Sequence, residues 1–211
     1  MIMPSDKDYK ETKQVIRGKT TMKDEFRPLA KWIDEVYDVR TINIIYDTTG
    51  KEARPRLEIC FEFEKEKLKF LNENKVTYDS EKQKAIASKF KDTLEEQGLI
   101  KNRGILDFLK NPFSRQYKTD NIWIIYGAFE PIAKIEANEN ISLRQITGLR
   151  EELNNEDLWE ISRGFSAATF FLYTDEQVKK YEHSALRKIW ADKYFDILGP
   201  YNEFGYFKRY M

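Results

Sequence analysis

Residues 41–64, TINIIYDTTGKEARPRLEICFEFE, decide the fold class. Ile42, Ile44 and Tyr46 alternate in a first arm, Leu57, Ile59, Phe61 and Phe63 in a second, and the turn residues lie between Asp47 and Pro55. This pattern predicts a β-hairpin with one face in the core. The other face of the second arm carries Glu58, Cys60, Glu62 and Glu64. Such a row has the oxygen donors a hard cation uses. It is also the ordinary alternation of a sheet with one solvated face, and Lys65, Lys67 and Lys69 follow at once to offset the charge. We therefore expect no metal and no cofactor there.

Working outward, a helix is expected over about 25–38. Asp24 stands as a cap, Pro28 falls in the first turn where its missing N–H costs little, and Leu29, Ile33, Val36 and Tyr37 have helical spacing. Before it, residues 1–20 are polar and charged and read as a flexible arm or one weak element. After it, three helices open on a Ser or Thr with a Gln three residues on: Ser80 with Gln83, Ser142 with Gln145, and Thr174 with Gln177. Each pair has the spacing of a capping box, in which two orphan N–H groups are satisfied reciprocally. The last of these helices is expected to run unbroken to the stop at Gly199–Pro200.

Residues 122–137, IWIIYGAFEPIAKIEA, and 158–174, LWEISRGFSAATFFLYT, are rich in β-branched and aromatic residues. Each reads as a pair of strands or one bent strand, with Gly127 and Gly164 at the turn or bulge. The expected class is α+β, with antiparallel sheets covered by about four helices. The echo of YDSEKQ in YTDEQ allows two similar β-rich halves. Residues 21–211 read as one domain, the alternative being subdomains 21–118 and 119–211.

Composition excludes several chemistries. The chain's single histidine, His183, and single cysteine, Cys60, leave no histidine–cysteine metal cluster, no second thiol for an internal disulfide and little material for a His-dependent triad. His183 has only Glu182 beside it, about 100° away on a helix, and Cys60 lies mid-strand with no local activator, so neither is read as catalytic. No glycine-rich phosphate cradle and no GxSxG elbow occur. No apolar run approaches the ~18 residues of a membrane span and the start lacks a signal-peptide core, so a cytoplasmic protein with no membrane role is expected.

Thirty-six basic residues balance thirty-six acidic ones, so recognition through charge must be local. Residues 98–120 carry Lys101, Arg103, Lys110, Arg115 and Lys118 against Asp107 and Asp120, with Phe113 and Tyr117 between them. Cations interleaved with aromatics suit nucleic acid, but one modest segment on a neutral chain makes that partner the weaker reading. Residues 130–160 hold eight carboxylates against three cations. Their centre, EELNNEDLWE, reads first as a solvated loop with Trp159 in the core, and second as a candidate partner-binding patch of Glu151, Glu152, Glu156, Asp157 and Trp159, in which charge steers encounter and an aromatic anchors it. The tail PYNEFGYFKRYM has enough aromatics that it should dock, as an added strand or across a homodimer. The first reading of function is a non-catalytic protein-binding module, of the character of small bacterial immunity or adaptor proteins. A nucleic-acid-associated protein is the alternative, and an enzyme with a carboxylate or tyrosine site assembled from distant segments is a third.

Overall fold

The computed structural model describes residues 3–100 and 116–209. It is an α+β protein, with eight α-helices and two small sheets, of three and two strands, among the described residues. The chain divides into two compact units, Ser5–Phe129 and Glu130–Met211, the second also including Met1–Pro4.

In the first unit the hairpin forms as β1 (Thr41–Thr49) and β2 (Arg54–Phe61), antiparallel, with Ile44 opposite Ile59 and Tyr46 opposite Leu57. Gly50 supplies the positive φ that the turn requires. The second arm stops at Phe61, two residues short of expectation. Glu66 accepts the Phe63 N–H at 2.9 Å and the Arg40 N–H at 3.0 Å, and its carboxylate thereby starts α3 (Glu64–Leu68) where the strand would have continued. Strand β3 (Trp123–Ala128) pairs with β2 in parallel, from Arg56 opposite Trp123 to Phe61 opposite Ala128, so this sheet is mixed and β2 is its central strand. Pro55 lies opposite Thr48 of β1 and just before the pairing with β3 begins, so no β3 partner stands beside it.

One sheet face, with Ile44, Leu57, Ile59, Phe61, Ile124 and Tyr126, packs with Leu29 and Ile33 of α2 (Arg27–Tyr37) and Ile86, Phe90 and Leu94 of α4 (Ser80–Glu96). Asp24 does not cap α2. It begins a 3₁₀ turn, Asp24–Phe26, and pairs with Arg27 at 2.9 Å. Nor does Ser80 cap α4: Asp79 accepts the N–H groups of Glu81 and Lys82, and Gln83 instead donates to the Ile124 carbonyl at 2.6 Å.

The opposite sheet face is not solvated. Residues 7–16, within the segment expected to be an arm, form α1 (Lys7–Ile16), which lies over that face with Tyr9 and Thr12 buried. Tyr9 stacks on Phe129 at 5.1 Å. The buried side of α1 is partly polar because the face it covers is polar. Only Tyr9, Val15 and Ile16 of the ten residues of α1 are apolar or aromatic, too few for a sequence reading to recognise a packed helix.

Strand β3 is followed directly by α5 (Phe129–Glu139), not by a second strand. Pro131 is the third residue of α5, among the first N–H positions that lack an intrahelical partner anyway, and Glu130 pairs with Lys134 one turn on. Gly127 is thus a strand residue opposite Cys60 and marks no turn. The second unit continues through α6 (Leu143–Leu153), the antiparallel hairpin β4 (Leu158–Gly164) and β5 (Ala167–Leu172), α7 (Asp175–Glu182) and α8 (Ala185–Leu198). The expected boxes at Ser142–Gln145 and Thr174–Gln177 both form. The expected long last helix is broken at His183–Ser184, where the Ser184 hydroxyl donates to the Tyr181 carbonyl. The break resets the helical phase, so Trp190, Tyr194 and Leu198 face the core with Ile146, Leu149, Leu158 and Ile161, while Ile189 is left exposed. The tail docks on its own unit, but as a 3₁₀ turn, Gly199–Tyr201, and a loop closed by Asn202 and Phe207, and no added strand occurs among the described residues.

Candidate functional site

The β4–β5 hairpin buries one face and exposes the other. Leu158, Ile161, Phe170 and Leu172 face inward. An irregularity between Leu158 and Glu160 places two residues opposite one, and as a bulge does, it turns both Trp159 and Glu160 outward. Trp159 is 50% exposed, Phe171 40% and Tyr173 59%. The Trp159 and Phe171 rings meet edge to face at 6.0 Å, a preferred aromatic geometry that holds both in place. At the hairpin tip Phe165 has a φ of +50°, which disfavours a side chain, and is 65% exposed. Asn138 of α5 fixes this tip by donating to the carbonyls of Phe165 (3.1 Å) and Ala167 (2.9 Å) and accepting from the Tyr194 hydroxyl.

The acidic patch divides by role. Asp157 is a structural anchor that accepts from Gln177 (2.7 Å), Tyr181 (2.8 Å) and Lys180 (2.9 Å), and those hydrogen bonds, led by Lys180, hold its carboxyl below the ordinary range. Glu152 pairs with Lys193 on α8. Glu151 and Glu156 are exposed and form no ion pair among the described residues, and the same holds for Glu160 on the sheet face. Asn154 takes the left-handed conformation that ends α6, and Glu151 and Glu156 line an open depression of about 450 Å³ together with Arg150 and Tyr173, two carboxylates against one guanidinium. Of the five residues singled out from sequence, Glu151 and Glu156 thus share one depression, and Trp159 lies exposed on the adjoining hairpin face with Phe171. Glu160, Phe171 and Tyr173 were missed. The alternation in TFFLYT reveals two faces, but which one turns outward depends on register, and the bulge shifts that register by one residue.

The remaining candidates separate. His183 ends α7, solvent-exposed, with Nε2 3.9 Å from Glu182 Oε2, because the last residue of a helix is not bound to the helical spacing. Such an exposed contact contributes little. Tyr117, read as a base-stacking residue, is instead buried in the first unit's core and donates to Glu25 at 2.6 Å. Residues 101–115 of that basic segment, including Phe113, lie outside the described residues.

The carboxylate stripe of β2 is split. Glu62 pairs with Arg40 at 2.9 Å and Glu64 begins α3, while Glu58 and Cys60 are buried beneath α1. Arg56 donates to Asp47 Oδ1 at 2.7 Å and to Asp8 Oδ2 of α1 at 2.8 Å, and it stands 4.0 Å from Glu58 Oε2. Burial, followed by the charge of Asp8, pushes the Glu58 carboxyl up to about 7, with Arg56 pulling the other way. Burial likewise pushes the Cys60 thiol well up, which makes it a poor nucleophile while α1 is seated. Among the described residues no three His, Cys, Asp or Glu side chains group as a metal-ligand set, and no helix is long and apolar enough to cross a membrane. No protein-family model, curated protein or solved structure matches this chain.

Proposed function

We propose that this chain is a non-catalytic protein-binding module, and that it receives a basic segment of a partner protein on the outer face of β4–β5. The observation that carries this reading is the half-exposed aromatic group Trp159, Phe171 and Tyr173 on β4–β5 and the segment after it, with Glu160 on the same face and Glu151 and Glu156 around the depression that Tyr173 lines, three carboxylates that outnumber the single Arg150 there and form no ion pair among the described residues. Aromatic anchors supply contact area at low entropy cost, and unpaired carboxylates raise the rate of encounter with a cationic partner and reject an anionic one. The same charge disfavours nucleic acid, whose phosphates this face would repel. The proposed setting is the cytoplasm, with an adaptor or an immunity protein as the nearest class of behaviour.

The test is in-host cross-linking and co-purification with wild-type protein, Trp159→Ala and the triple variant Glu151→Lys/Glu156→Lys/Glu160→Lys. The expected result is a co-purifying protein whose cross-linked segment is rich in Lys and Arg. Its affinity should fall at least about thirtyfold with Trp159→Ala, as for a hot-spot aromatic, and the triple variant should abolish capture. A partner retained by both variants, or one cross-linked through an acidic segment, refutes the proposal.

A further inference from the structure

The polar cluster under α1 has a direction. The Ile44 N–H donates to Asn43 Oδ1 at 3.0 Å, which fixes the Asn43 amide. Its Nδ2 donates to Thr12 Oγ1 at 3.3 Å, the Thr12 hydroxyl donates to Cys60 Sγ at 3.6 Å, and the thiol donates to Glu58 Oε1 at 3.8 Å. Each member passes its hydrogen to the next, so Oε1 is the acceptor at the end of the chain. Oε2 is buried and has no hydrogen-bond partner of its own, in a side chain only 2% exposed. Beside the Glu58 carboxyl lies the carboxyl of Asp8, held by Arg56 at 2.8 Å, while the same guanidinium stays 4.0 Å from Oε2, beyond hydrogen-bonding distance. Two carboxylates cannot satisfy each other, but a carboxylic acid and a carboxylate can. A proton on Oε2 completes the network, making Oε1 the carbonyl that accepts the thiol and Oε2–H the donor to Asp8.

The charges facing Glu58 agree with this. From α1 comes Asp8, with Thr12 neutral; from β1 come Asp47 and the neutral Asn43; on β2 lie Arg56 and Cys60; and on β3 the residue opposite is the apolar Ile125. One guanidinium therefore faces three carboxyls, and Asp47 already engages it through two atoms. A third ionised carboxylate, buried and set against Asp8, would repel α1 from the sheet.

We propose that α1 is a proton-controlled cover, seated on the polar face of the β1–β2–β3 sheet while Glu58 carries a proton and released when that proton is lost, uncovering Cys60. The hinge of the device is the pair Glu58 and Asp8, one on the sheet and one on the cover. Loss of the proton turns their hydrogen bond into repulsion at the interface itself.

Cys60 is the chain's single thiol and reports the opening directly. The experiment measures iodoacetamide labelling of Cys60 in the full chain from pH 5.5 to 8.5, in the regime where rate is linear in reagent. Thiolate formation alone raises the rate about tenfold per pH unit in this range. Opening coupled to loss of one proton adds a second factor of about ten per unit below the Glu58 titration. Wild type should therefore rise about a hundredfold per unit near pH 6 and about tenfold per unit above pH 7.5. Glu58→Gln, whose amide accepts at one atom and donates at the other as the neutral acid does, should rise about tenfold throughout. Should that variant not fold, Asp8→Asn serves: an amide there can donate to ionised Glu58, and because burial remains, the extra pH dependence should shrink and shift to lower pH without vanishing. A wild-type rise of only about tenfold per unit over the whole range overturns the proposal. So does a urea dependence of labelling as steep as that of global unfolding, since release of one helix exposes far less surface.

Discussion

Replacing Asn138 by Ala tests how the exposed aromatic face is held. Asn138 is buried, and its side chain makes three hydrogen bonds: two donated to the hairpin tip at Phe165 and Ala167, and one accepted from Tyr194. The two carbonyls belong to exposed residues at the tip and regain water when the amide is removed, so each loss approaches the net value of about 0.5–1 kcal/mol. The Tyr194 hydroxyl cannot be rehydrated so easily. Tyr194 is buried, and its own ionisation is pushed up to about 12 by that burial, so an orphaned hydroxyl there costs about 1–3 kcal/mol. The sum is about 3 kcal/mol, a large part of the ~5–15 kcal/mol that stabilises a domain. The assay is a urea titration followed by fluorine NMR of 5-fluorotryptophan-labelled protein, because Trp159 and Trp190 report on the second unit while Trp32 and Trp123 report on the first. Tyr194→Phe closes the cycle. Once the hydroxyl is gone, Asn138→Ala no longer strands it, so the double variant should be more stable than the sum of the single losses by about 1–2 kcal/mol. Asn138→Ala within about 0.5 kcal/mol of wild type, or strict additivity in the cycle, would refute the assignment of Asn138 as the polar hub of this unit.

Glu58 should also govern stability against pH. Its native carboxyl keeps its proton up to about 7 while an unfolded Glu releases it near 4.5, so the native state binds more protons between those values and stability falls as pH rises through them, levelling off above. The loss is about 3 kcal/mol at most, and urea midpoints at pH 5 and pH 7.5 should differ for wild type but converge for Glu58→Gln. At the hairpin tip, Phe165→Gly removes the steric cost of a positive φ and gives up a side chain that is mostly in water. It should raise the second unit's stability by about 0.5–1 kcal/mol in the same fluorine titration. A fall of similar size would mean that the Phe165 ring contributes packing that its exposure does not suggest.

What the sequence by itself determined was whatever neighbours along the chain decide. Thr174 with Gln177 and Ser142 with Gln145 cap their helices as their spacing predicts, since both partners of each box lie within one turn, whereas the same spacing at Ser80–Gln83 yields to Asp79 as the cap and to the Ile124 carbonyl as the partner of Gln83. The β1–β2 hairpin and the α+β class follow from period-two alternation around a glycine turn. The exposure of Glu151 and Glu156 was legible as polarity, but that of Trp159 was not, since an aromatic after a solvated loop reads as a core residue until the bulge beside it is known. Tertiary structure decided everything that required knowing what lies opposite. The parallel pairing of β3 on β2 joins residues far apart in sequence, and no local pattern records it. The stripe Glu58–Cys60 read as a solvated face because alternation reveals that a strand has two sides and says nothing about what covers either. Only the packing of α1 turns an ordinary glutamate into a buried acid that keeps its proton. The same holds for the aromatic face. A bulge at Trp159 and a helix break at His183–Ser184 each shift a period by a fraction of a turn or one residue, and such shifts are set by packing against the rest of the chain rather than by the residues that move.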